Sequence, residues 1–441
     1  MTPPAARNPE GGAGTLNGRR SLGIAVLRLP VPDFSRDVWL VSLTMAMLGG
    51  AYLGMMQLVK VLYVLRLGQG PEFVGSLFAT GALSFAASSL FAGALGQRYG
   101  PRRIMIAGGI ICTSGMAIMP LTELLPPALR PFWVLLVQVI SSSGWSLVVV
   151  NHIAALMTFT TAENRQRGYA LKEAFLGLGT FLGALIGGLL PGAFAGLSHL
   201  ASSEPAPYRH TLCVATAIAA TALVPLLLIS EAQASVPSQE GRTTSPPLPS
   251  LSRLFACAFL NNAAVASQKA FASAYMDRAL GLPTSSVGAI TSAGQLLAVL
   301  GALLSARLVR SRGSSRTMAI ASTGLGLSLL LLAALPHPAV TAMGTTGALS
   351  LAAVWVPAFQ VLQMETVAAE WRSWTAGAGS MALSLGFGTL SLGGGYVVAE
   401  LGYPWVFLVG ALSAVISATL AGTMGRSEAR GKMVSPGPAA A

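Results

Sequence analysis

The sequence predicts an all-α membrane protein: twelve transmembrane helices arranged as two pseudo-symmetric six-helix bundles. Three observations predict it. Of 441 residues, 53% are hydrophobic and only 10% are charged, against about 25% charged in a soluble domain. The apolar residues fall into twelve runs near the roughly 20 residues that span a bilayer. The second six runs repeat landmarks of the first at a nearly constant offset.

Taken in order, residues 1–37 are rich in Pro, Gly and Arg and have no helical period. Arg19-Arg20 followed by an apolar stretch resembles a twin-arginine signal, but Arg28 and Pro30 interrupt that stretch and no A-x-A site follows. The segment reads as a cytosolic tail. A first bundle over 38–229 contains runs at about 38–64, 73–96, 104–122, 132–158, 169–196 and 210–229. Residues 230–252 are polar and rich in Ser and Pro, the composition of a cytosolic linker. A second bundle over 253–424 contains runs at about 253–276, 286–308, 316–335, 339–364, 374–399 and 403–424, and 425–441 form a cytosolic tail.

Orientation follows from charge. The turn Gly93-Ala-Leu-Gly-Gln-Arg-Tyr-Gly-Pro-Arg-Arg103 holds three arginines between two apolar runs, and such turns face the cytoplasm. With the N-terminus inside, Arg165, Arg167, Lys172, Arg307, Arg310, Arg312, Arg316 and Arg372 join them there, leaving Arg66, Arg130, Arg209 and Arg278 on the other side. Both termini are therefore expected in the cytoplasm, with the chain multi-pass in the cell (inner) membrane and the lipid bilayer as its main partner. The net charge of +12 is spent on this topology, so no nucleic acid is expected.

The repeat is internal. Tyr63-x-x-Arg66 followed by Val74-Gly75 recurs as Tyr275-x-x-Arg278 followed by Val287-Gly288; Gly100-Pro-Arg-Arg-Ile-Met105 recurs as Gly313-Ser-Ser-Arg-Thr-Met318; Ala162-Glu-Asn-Arg165 recurs as Ala369-Glu-Trp-Arg372. Parallel repeats of this kind place a substrate site between the halves, near the midplane.

Gly93, Gln97, Arg98, Gly100, Arg102 and Arg103, placed after the second run, resemble the conformational loop signature of the major facilitator superfamily, bacterial type. The degenerate copy around Gly313 and the Glu-x-Arg elements are similar to that superfamily as well. The resemblance covers about 38–424 and implies a secondary transporter working by alternating access. The family usually carries Asp at the position of Gln97, which hydrogen-bonds without a charge. In the family the fifth and eighth helices meet across the halves, and the stripes Gly179, Gly183, Gly187, Gly188, Gly192, Gly196 and Gly294, Ala298, Ala302, Ala306 suit sliding contact there.

Polar residues inside the runs are the site candidates. Lysine at mid-bilayer costs about 2.5–3.5 kcal/mol on insertion scales, so it faces a wet cavity or a partner. Lys60 lies about 9 Å along the helix from Arg66, within snorkelling reach of water, and Lys269 about 12 Å from Asp277. Gln57 matches Lys269 in the repeat and shares a face with Lys60. Candidate substrate-binding residues are Gln57, Lys60, Asn262, Gln268 and Lys269, with Trp145, His152 and Trp355 as further wall or polar groups. The lysines resemble the basic residues of the superfamily's anion-transporting branches. Glu173 and His152 are the candidate proton-coupling groups, the proton being the candidate coupling ion.

Enzymatic chemistry is not expected: the sequence has no Walker loop, H-E-x-x-H or C-x-x-C, and Cys112, Cys213 and Cys257 are scattered as packing residues. No cofactor or metal is expected. The expected function is secondary active transport of an anionic or amphipathic small molecule by a monomer, with export (drug or metabolite efflux, as an antiporter) preferred over organic-anion uptake or exchange at Lys60 and Lys269. A transporter-like sensor or assembly factor that moves no solute is the alternative from another class.

Overall fold

The computed structural model describes residues 34–161, 164–201, 203–231, 248–367 and 371–434. The expected tails at 1–33 and 435–441, linker residues 232–247, and Ala162-Glu163 and 368–370 of the Glu-x-Arg elements lie outside the described residues.

Among the described residues twelve long helices follow one another: α1 (Arg36–Arg66), α2 (Pro71–Tyr99), α3 (Pro101–Leu124), α4 (Arg130–Phe159), α5 (Arg165–Ser198), α6 (Ala206–Leu227), α7 (Leu248–Arg278), α8 (Thr284–Arg312), α9 (Ser314–Ala334), α10 (Pro338–Glu365), α11 (Arg372–Leu401) and α12 (Tyr403–Val434). Eleven of these, among the described residues, are long and apolar enough to cross a membrane. The other is α7, 31 residues long, in which Asn261, Asn262, Gln268 and Lys269 dilute the apolar run. Most helices extend a few residues beyond their apolar runs, because charged ends continue the helix past the hydrocarbon.

The packing repeats when six is added to each helix number. In the first half α1 packs on α5, α2 on α4, and α3 on α4 and α6; in the second α7 packs on α11, α8 on α10, and α9 on α10 and α12. The halves meet through the exchanged pairs α2–α11 and α5–α8, with α1 and α2 also touching α7. The turns obey the same symmetry. Gly100, between α2 and α3, has φ +91° and ψ 138°; Gly313, between α8 and α9, has φ +82° and ψ 161°. Gly68 and Gly281, in the loops after α1 and α7, have φ +84° and +62°. Such values strain any residue with a Cβ, so each repeat keeps glycine where the chain reverses.

The glycine stripes pack differently from the expectation. Gly50 and Gly54 of α1 lie directly on Gly179 and Gly183 of α5, backbone against backbone, so this part of the α5 stripe is an intrahalf seam. Gly294 of α8 faces Thr346 and Leu349 of α10. The α5–α8 crossing is made instead by Gly188 on Gly288, where an added methyl would stand 2.5 Å from the partner's Cα. Its symmetry mate is Gly75 of α2, seated on the Ser391 carbonyl and Gly395 of α11. Along its seam with α5, α1 widens into a π-helical segment, Gly50–Met56.

Candidate functional site

The halves are latched at the end opposite the Gly93–Arg103 turn. There α1 ends in Leu65-Arg66 and α7 ends in Asp277-Arg278, brought together by the pseudo-twofold. The Arg66 guanidinium donates to both Asp277 carboxylate oxygens, at 2.7 and 2.6 Å. In return, Arg278 donates to the Leu65 carbonyl at 2.7 Å. Arg66 also lies 5.4 Å from the Tyr208 ring centroid, and the Tyr208 hydroxyl meets Thr284 Oγ1 at 3.0 Å. Beside these groups is a surface cleft of about 290 Å³ whose lining mixes Arg66, Tyr208, Asp277 and Thr284 with Pro191, Leu282 and Pro283. Asp277 and Tyr208 were not among the expected site residues, although the repeated Tyr-x-x-Arg pattern marks both helix ends.

Lys269 of α7 lies about 12 Å below that latch. It is exposed, while Gln268 and Ala270 beside it, and Ala266 and Ala272 one turn away, are buried. Among the described residues Lys269 has no ion pair or hydrogen bond. Asn262, two turns away on the same face, is half-buried and donates to the Leu383 carbonyl of α11 at 2.7 Å. Gln57 is half-buried, and its Oε1 has no hydrogen-bond partner.

Lys60 does not snorkel. It turns into the first half, 1% exposed, and donates to Gln138 Oε1 of α4 at 2.7 Å. Its Nζ also stands 5.1 Å from the ring centroid of Phe78 of α2. Gln138 continues to Ser142 Oγ at 2.8 Å, and Ser142 to the Tyr52 hydroxyl at 2.9 Å. Gln138 and Ser142, an i,i+4 polar pair within an apolar run, are the signal that sequence reasoning missed. The remaining candidates are dispersed. Trp145 is buried against Tyr52, ring centroids 5.6 Å apart, and Trp355 is stacked on Phe359 at 4.9 Å within the second half. His152 is buried against the Val148 and Val149 carbonyls without a well-formed hydrogen bond. Glu173 is exposed and pairs with the buried Lys172.

Of the signature residues, Gln97 and Arg98 are exposed, Arg102 donates to the Leu227 carbonyl at 2.7 Å, and Arg103 pairs with Glu231 at 3.1 Å. These contacts tie the turn to the end of α6. Every described carboxylate lies toward a helix end or in a loop. No three His, Cys, Asp or Glu side chains gather to hold a metal among the described residues.

Paired six-helix halves, joined through the α2–α11 and α5–α8 crossings and latched at one end, define a membrane transport protein. The family model of the major facilitator superfamily matches residues 38–386, and the chain belongs to that superfamily, whose members are transporters and not enzymes. It is 32% identical over 142 residues to the major facilitator superfamily multidrug transporter mfsC of Aspergillus fumigatus; the match spans 31% of this chain and 26% of that relative. Among solved structures it is similar to a D-xylose-proton symporter (TM-score 0.70, 13% identity, 88% of this chain and 96% of that one). It is also similar to the nucleoside transporter NupG (0.69, 14%, 88% and 100%) and the human organic anion transporter MFSD10 (0.63, 16%, 88% and 99%). At these identities the likeness concerns the fold.

Proposed function

We propose that this protein is a secondary active exporter of an amphipathic small molecule, working by alternating access as a monomer in the cell's inner membrane. Its two halves, 38–229 and 253–424, rock about the α2–α11 and α5–α8 crossings. The basic turns and both termini face the cytoplasm, as the positive-inside bias requires. The observation that carries the reading is the pairing of a closed latch at Arg66–Asp277 with the exposed side chain of Lys269 about 12 Å beneath it. A cavity wetted from the basic-turn side is the loading state of an exporter. The partial likeness to a multidrug transporter supports the direction.

Organic-anion exchange is the second reading, supported by an unpaired lysine in the cavity and no carboxylate deep in a described span. Proteoliposomes loaded with ethidium or with fluorescein separate the two. Release of ethidium against a gradient supports export of amphipathic solutes, whereas fluorescein counterflow that Lys269→Gln abolishes supports anion exchange. Flux no greater than that of empty vesicles for a broad panel of solutes would leave the sensor or assembly-factor reading.

A further inference from the structure

Lys60 is sealed inside the first half without a counter-ion among the described residues. Its surroundings supply one hydrogen bond, from Nζ to Gln138 Oε1, and one aromatic face, Phe78. An ammonium has three donors. Sealing it away from water costs several kcal/mol unless a partner compensates, and an amide oxygen with one ring face compensates only in part. A neutral amine in the same place needs little compensation.

Phe78 does more than cover the charge. Its ring packs against Phe387 of α11 in the opposite half, centroids 6.2 Å apart. It stands beside the tightest α2–α11 crossing, where Gly75 touches Ser391 and Gly395. The lid on Lys60 is therefore carried by the surface that parts when the latched end opens. Lys60 also lies about 9 Å from Arg66, near enough for water entering past an open latch to reach it.

From this geometry we propose that Lys60 is the proton-binding site of the carrier, with Phe78 as the gate that admits water to it. The proposal rests on the alternating-access reading. When the halves part at the latched end, the Lys60 amine takes a proton from water and becomes an ammonium. Phe78 closes over it against Phe387 only after the N–H bond breaks, the electron pair stays on Nζ, and the proton returns to the water admitted past the open latch. Protonation opposes sealing, so acid favours the open latch. The titratable groups packed in the same buried cluster are Tyr52 and Tyr63 of α1, Cys112 of α3 and Tyr208 of α6. α4 presents Gln138 and Ser142 and α2 presents Phe78, none of which titrates. The Arg66–Asp277 pair at the end of the helix is the competing source of pH dependence.

The test needs no transported solute. Spin labels at Leu124→Cys and Leu335→Cys, at the latched ends of the two halves, report opening by pulsed electron resonance, with Cys112, Cys213 and Cys257 replaced. Going from about pH 9.5 to about pH 5.5, the ratio of long to short distances is expected to rise at least about tenfold. Lys60→Met is expected to hold the short distance at every pH, and Lys60→Arg the long one. Phe78→Ala, which leaves the lysine in place, is expected to flatten the pH response at least threefold by keeping Lys60 wet. A Lys60→Met response equal to the parent's, or a parent that ignores pH while Asp277→Asn still opens, overturns the proposal and leaves rocking intact. One unchanged distance in all variants, Asp277→Asn included, overturns alternating access instead.

Discussion

Arg66 and Asp277, 211 residues apart in sequence, join the two halves with two hydrogen bonds of 2.7 and 2.6 Å. Their side chains are 17% and 6% exposed, so the pair is largely desolvated. Removing one partner of such a pair leaves a buried charge uncompensated, at a cost of about 3–5 kcal/mol when burial is complete. Here Asp277→Asn is expected to remove about 2 kcal/mol from the latched state and shift the population toward the open form. Cysteine accessibility at the latched end checks it: labelling at Leu67→Cys should rise in Asp277→Asn. The exchange Arg66→Asp with Asp277→Arg should restore protection.

The glycine crossings give a second expectation. A side chain at Gly188 would drive into the Gly288 backbone, and one at Gly75 into the Ser391 carbonyl; neither neighbour is a flexible side-chain tip. Gly188→Val and Gly75→Val should therefore hold the halves apart at the latched end, with solute flux down at least about tenfold while melting temperature changes little. A double substitution of Gly50 and Gly54, which face α5 within the first half, should instead lower the melting temperature.

The sequence revealed most of the scaffold because membrane topology depends on two coarse signals, apolar run length and the placement of basic residues. Lys269 stood out as a cation in a polar helix, and the structure leaves it exposed among buried neighbours. What escaped was whatever depends on side-chain direction. Lys60 and Lys269 looked like a symmetric pair, but one is sealed inside its own half and the other is exposed. A helical period cannot separate those faces when both are apolar. Gln138 and Ser142 were legible as an i,i+4 pair and become informative only once Lys60 is seen to choose them. The stripe on α5 read as a sliding surface, yet Gly179, Gly183 and Gly187 serve α1 and only Gly188 meets α8, since small residues permit close approach without naming the partner.

The Gln138 contact yields a stability prediction. Leaving a buried donor without its acceptor costs about 1–3 kcal/mol, and Gln138 Oε1 is the hydrogen-bond acceptor described for Lys60. Gln138→Leu should destabilise the purified protein by about 2 kcal/mol, seen as a lower melting temperature. The double variant Gln138→Leu with Lys60→Met, which removes both polar partners, should recover most of that loss.

Lys269 should behave in the opposite way, because it is exposed and without an ion pair among the described residues. Lys269→Gln removes no packed contact, so the melting temperature should stay within about 2 °C of the parent. Its effect belongs to the solute. A carboxylate ligand that pairs with the ammonium in the cavity should lose about tenfold in affinity, the equivalent of about 1.4 kcal/mol, while an uncharged analogue of the same shape should bind the variant as well as the parent. Equal losses for both would mean that Lys269 shapes the cavity and does not read charge. Isothermal titration against such a matched pair decides between those outcomes.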